Sequence, residues 1–146
     1  MVYLSPYLIV KDIEKSKEFY SALFEMSPES YAPNRFLRYV LNNTNLALYN
    51  PKYDHELLLS GKDLSNNFND EYIKSLNNHV KYGNNIVLNI TVEDLLEEYE
   101  RVKSLAIGEF SELLYINVSS PYWCFWLTDP DGNCIEITGS YKPKEE

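Results

Sequence analysis

A chain of 146 residues, 45% hydrophobic, 24% charged and 14% aromatic, has the size and composition of one globular domain, able to bury about two-thirds of its extended surface around a core. Its formal charge of −9 argues against a nucleic-acid partner, which needs a surplus of Lys and Arg on one face, and suits a cationic ligand better. The opening MVYLSPYLIVKD lacks a basic start, and its apolar run is broken by Ser5-Pro6 and closed by charge. It is expected to be neither signal peptide nor membrane span, which places the protein in the cytoplasm. There the two cysteines are expected to stay reduced, and the triplets beginning at Asn42, Asn89 and Asn117 are chance sequons.

From Tyr7, YLIV reads as a short buried strand, and Lys11-Asp12 leads into DIEKSKEFYSALF, in which Ile13, Tyr20 and Leu23 share one helical face. Asp12 is the expected N-cap. RFLRYVL and NLALYN then read as strands joined by a turn at Asn42-Asn43. The stretch from about Pro51 to Tyr82 is rich in Asn, Asp and Ser. Some local order is expected in so long a connection, with HELLLS as a fourth strand and Asn69 to Leu76 as a short helix.

The opening grammar then returns. IVLNITVEDLLEEYERVKSL gives a strand, Val92-Glu93-Asp94, and a helix with Leu95, Val102 and Leu105 on one face, each position 82 residues after its partner. A strand, a cap and a helical stripe repeating at one offset point to internal duplication. ELLYINV, YWCFWLT and NCIEITGS follow as strands, the last two joined by the turn Asp129-Pro130-Asp131-Gly132-Asn133. The expected organisation is a single α+β domain over residues 1–146 made of two tandem βαβββ modules. Module one covers about 1–60, a connector about 51–82, and module two about 83–141.

The stretches YLIVKDIEKSKEFYSALF, NNIVLNITVEDLLEEYERV and above all FWLTDPDGNCIEI resemble the vicinal oxygen chelate superfamily, which includes glyoxalases, bleomycin-resistance proteins and dioxygenases. The resemblance implies that the modules form a curled mixed sheet around a concave small-molecule pocket, and that the chain forms a homodimer. It also implies a divalent metal in catalytic members, held by side chains of the first and last strands of each module. Here those positions carry Ser5, Val87, Glu136 and, as the counterpart of Glu136 in NLALYN, Leu48. One carboxylate cannot compensate a divalent ion for its lost water, so no metal and no other cofactor is expected. His55 and His79 fall in the connector, at no ligand position.

Strand alternation describes the pocket wall directly. If Glu136 faces the cavity, Cys134 and Thr138 share its face, while Ile135 and Ile137 turn toward the helices. Pairing Thr128 with Cys134 sets Trp126 opposite Glu136 and Cys124 opposite Thr138, so that the wall reads Tyr122, Cys124, Trp126. Tyr7 and Ser5, and Val87, Asn89 and Thr91, join it by the same parity. The two cysteines then lie roughly 13 Å apart at strand rise, too far to share an ion or a disulfide.

The binding residues expected from this pattern are Tyr7, Asn89, Tyr122, Trp126 and Glu136. An indole face beside a carboxylate suits a flat or cationic ligand, and the branch resembled most is the one that sequesters a cationic aromatic antibiotic without metal. The competing bland reading makes Trp126 a core filler and Glu136 a solvated carboxylate. The enzymatic alternatives are a glyoxalase-like lyase or isomerase, a ring-opening dioxygenase, or a metal-free proton transfer with Glu136 as catalytic base. Whether Arg35 or Arg38 enters the site is left open by the alternation of RFLRYVL.

Overall fold

A computed structural model of the chain describes residues 4–76, 80–84, 86–117 and 120–145. His79, and Val118 and Ser119 of the third sequon, lie outside the described residues. The fold is α+β, with two four-stranded mixed sheets in two compact units whose main boundary falls between Tyr82 and Gly83.

In the first unit, β1 (Tyr7–Ile9) leads to α1 (Ile13–Phe24) and then to β2 (Ser30–Ala32), β3 (Phe36–Val40) and β4 (Asn45–Tyr49). The sheet order is β1-β4-β3-β2, with β1 parallel to β4 and the other pairs antiparallel. Asp12 caps α1 as expected, its carboxylate accepting the backbone N–H groups of Glu14 and Lys15 at 3.0 and 3.1 Å. That satisfies donors that no helical carbonyl can reach. Ile13, Phe19, Tyr20 and Leu23 are buried along the helix face, and the Ser21 hydroxyl pairs with the Tyr39 phenol at 2.8 Å. Tyr39 shares its sheet face with Leu37, Leu46, Leu48 and Leu8, all buried.

The second unit repeats the plan with β5 (Val87–Asp94), α4 (Leu95–Leu105), β6 (Leu114–Asn117), β7 (Pro121–Thr128) and β8 (Cys134–Ser140). Its order, β5-β8-β7-β6, matches the first sheet, and β5 is again parallel to β8. Asp94 caps α4 through the Glu97 N–H at 3.0 Å. Tyr99 of α4 meets Phe125 edge-on at 5.1 Å between ring centroids. Phe125, Leu127, Ile135 and Ile137 are fully buried, which makes this the helix-covered side of the sheet.

The connector departs from expectation. HELLLS is no strand; it lies within and just after α2 (Pro51–Leu59), followed by α3 (Asp70–Ser75). Asn50 caps α2 and Pro51 occupies the first turn, where its missing N–H costs nothing. These start signals outweigh the strand propensity of three leucines. The fourth strand of module one is instead β2, three residues long and closed by Pro33.

Candidate functional site

The site is built on the side of the second sheet opposite α4, the open face. Register decides its membership. Trp126 pairs with Glu136, Cys124 with Thr138 and Thr128 with Cys134, as strand alternation requires. On the other side of β8, Asn89 pairs with Glu136, Val87 with Cys134 and Thr91 with Thr138. One row across the sheet therefore reads Asn89, Glu136, Trp126. The Asn89 side-chain amide donates to Glu136 Oε1 at 2.8 Å, and among the described residues no donor engages Oε2. Glu136 is half-buried, Asn89 is exposed, and Trp126 keeps 47% of its surface accessible.

The neighbouring rows tune this centre. Burial first, and then the Glu136 charge, push the phenol of Tyr122 and the thiols of Cys124 and Cys134 above their ordinary pKa values. The shifts reinforce the neutral form of all three, and Glu136 is the one carboxyl group among them. Cys124 lies on the open face yet is fully buried, so it does not present its thiol to a cavity as expected. Both cysteines are free thiols.

Tyr7 belongs to the first unit. It stands on the open face of that sheet, 59% exposed, pairs with Ala47, and meets the Tyr49 ring edge-on at 6.3 Å. This register corrects the expected counterpart of Glu136. Tyr7 lies 82 residues before Asn89, so Ala47, not Leu48, holds the position equivalent to Glu136. Leu48 pairs with Leu8 and is wholly buried on the helix-covered side. The offset of one residue matters because alternate strand residues point to opposite faces.

The row of module one reads Tyr7, Ala47, Arg38. Arg38 thus occupies the place that Trp126 has in module two, and it is ion-paired with Glu29 at 2.7 Å. Arg35, just before β3, is engaged elsewhere: its guanidinium grips Asp54 of α2 through Nε at 2.7 Å and a terminal nitrogen at 2.9 Å. The same carboxylate accepts from Tyr49 at 2.8 Å and Tyr72 at 2.5 Å. Burial raises the Asp54 pKa, but these four bonds and the Arg35 charge prevail, leaving it below the ordinary carboxylate value. No spacing in the sequence announced this cluster; the available sign was an Asp in the middle of a short helix, followed by leucines.

The candidate metal positions can be judged by their donors. Ser5, Ala47 and Val87 offer no carboxylate, imidazole or thiolate, and Glu136 alone is a poor fit for a divalent ion. Among the described residues no three His, Cys, Asp or Glu side chains are grouped for one, and His55 lies in α2.

A family model described as Glyoxalase/Bleomycin resistance protein/Dioxygenase superfamily matches residues 2–137. The chain belongs to that superfamily. Solved structures of the superfamily share its fold over nearly all of the chain. A glyoxalase-related enzyme from Fulvimarina pelagi is 20% identical, with a TM-score of 0.64 over 96% of this chain and 88% of that one. A lactoylglutathione lyase from Agrobacterium tumefaciens is 17% identical, with a TM-score of 0.65 over 95% and 93%. A superfamily member from Sphaerobacter thermophilus is 20% identical, with a TM-score of 0.59 over 96% and 98%. No curated protein matches the sequence significantly. At these identities the superfamily likeness carries the architecture, and the chemistry has to be argued from the open-face residues.

Proposed function

We propose that the protein binds a flat, cationic small molecule, such as a cationic aromatic antibiotic, on the open face of its second module, without metal and without chemical turnover. The observation that supports this most is the cross-strand pair of Trp126 and Glu136, with Asn89 holding one carboxylate oxygen. A cation over the indole gains about 0.5–2 kcal/mol from the ring, depending on its desolvation, and the free Glu136 oxygen accepts its N–H donors. Tyr122, exposed on the same face, adds aromatic area. The homodimer implied by the superfamily resemblance, and a cytoplasmic setting, belong to the same proposal. No helix among the described residues is long and apolar enough to cross a membrane.

The test is a fluorescence and calorimetric titration with a panel of cationic aromatic compounds and their neutral analogues. At least one cationic compound is expected to bind, and Trp126→Ala and Glu136→Gln to weaken it by about 2- to 30-fold each. Flat titrations across the panel, or equal affinity for the neutral analogues, would refute the reading.

A further inference from the structure

The Asp54 cluster lies in the first unit and plays no part in the proposed site. Its carboxylate is fully buried, and its donors come from three separate pieces of chain. Arg35 precedes β3, Tyr49 ends β4, and Tyr72 lies on α3. Tyr49 and Tyr72 also touch each other through their hydroxyls at 3.1 Å. An ionised carboxylate can be buried only when its lone pairs are met in this way.

Apolar burial in the connector is small by comparison. Asp54 is the one buried residue of α2, and α3 has none. Leu64 is the one buried apolar side chain among residues 51–76. Leu58, Leu64, Phe68 and Ile73 line a shallow cavity of about 470 Å³ between the helices, Phe68 packs against Tyr72 at 4.8 Å, and the Asn67 and Phe68 N–H groups both donate to the Leu64 carbonyl. The hydrogen-bonded link from the connector helices to the sheet thus runs through the charged Asp54 cluster.

Such a tie differs from an apolar one in what happens when it breaks. Separated hydrocarbon surfaces lose their stabilisation to water, whereas a separated carboxylate and guanidinium regain hydration that offsets most of their attraction. Arg35 is already partly exposed, at 38% of its side chain. Opening at this cluster therefore costs far less than unfolding the sheet, whose Leu8, Leu37, Leu46 and Leu48 are buried. What it uncovers is Tyr49, which carries the ring contact to Tyr7.

We infer that residues 51–76 form a lid over the β4 end of the first sheet's open face, held shut by the Asp54 carboxylate and able to open as a unit while the sheet stays folded. The lid is a conformational device of module one, independent of any ligand on module two.

Hydrogen exchange followed by mass spectrometry on the full chain tests it. Asp54→Asn sets an amide N–H against the guanidinium, and the amides of α2 and α3 are expected to lose protection by about 10- to 100-fold, with β1, β3 and β4 unchanged. Unchanged protection in the connector, or an equal loss in the sheet, would overturn the inference. Tyr72→Phe keeps the Arg35–Asp54 pair and decides the matter even if Asp54→Asn does not fold. Both helices should then lose protection together, by about 2- to 10-fold, whereas a loss confined to α3 rules out opening as a unit.

Discussion

Two glycines at the start and end of one contact allow steric crowding to be separated from backbone preference. Gly83 and Gly132 both sit at positive φ, +73° and +85°. A Cβ on Gly132 would meet nothing within 4 Å, while one on Gly83 would lie 2.4 Å from the Asp131 carbonyl oxygen. Gly132→Ala should therefore cost only the left-handed conformation, about 1–2 kcal/mol, partly offset by a stiffer unfolded chain. Gly83→Ala carries the same term and must also push backbone away from backbone, adding about 1–3 kcal/mol. The displaced contact is supported by the Asn84 N–H, which donates to Asn133 Oδ1 at 3.2 Å, so the strain reaches the turn before β8. Urea denaturation followed by tryptophan fluorescence reports on the right unit, because Trp123 and Trp126 both lie in β7. With urea slopes of about 1–3 kcal/mol per molar, the Gly83 variant should melt roughly 1 M below the Gly132 variant. Equal midpoints would show that the close approach to Asp131 carries no energy and that the reasoning is wrong.

Stability against pH should bear the mark of the Asp54 cluster. Because the folded Asp54 pKa lies below its ordinary value, its contribution is present above the unfolded carboxylate pKa and is lost as pH falls through the depressed one. Tyr49 and Tyr72 are both raised, by burial first, then at Tyr49 by its hydrogen bond to Tyr72 and at Tyr72 by its hydrogen bond to Asp54. Their contribution holds below about pH 10 and fades above it. The gap in melting temperature between wild type and Asp54→Asn should narrow below about pH 4; a gap constant from pH 7 to 2 would contradict the assignment. The cysteines supply a chemical check. With their thiols pushed up by burial and then by Glu136, both should alkylate more slowly than free cysteine at neutral pH. Glu136→Gln should speed the reaction at half-buried Cys134 and leave the rate at fully buried Cys124 set by its burial, as read by intact mass; no change at Cys134 would place Glu136 too far away to matter.

Much of this architecture was legible because the signals were local and repeated. Asp12 and Asp94 each stand where a short acceptor must meet free helical N–H groups, and the buried stripes follow at helical spacing. The pairing of Trp126 with Glu136 followed from one turn and strict alternation. Three things were not legible. The short β2 has too few residues for a pattern and is held by its pairing with β3. HELLLS reads as a strand by composition, but its conformation is set by the Asn50 cap and by Asp54, whose partners are 5 to 19 residues away in sequence. Taking Leu48 as the counterpart of Glu136 erred by one residue because the parallel pairing of β1 with β4 has no turn to fix its register.

The duplicated rows carry a lesson for engineering. Asn89, Glu136 and Trp126 in one half answer to Tyr7, Ala47 and Arg38 in the other, so the same frame presents an acid in one copy and a base in its sibling. The leucines, isoleucines and aromatics that keep each sheet folded point the opposite way, toward the helices. Evolvability is thereby built into the repeat. A combinatorial library confined to the five of these positions other than buried Ala47 could rewrite what either half recognises while leaving the hydrophobic interior, and with it most of the fold's stability, untouched.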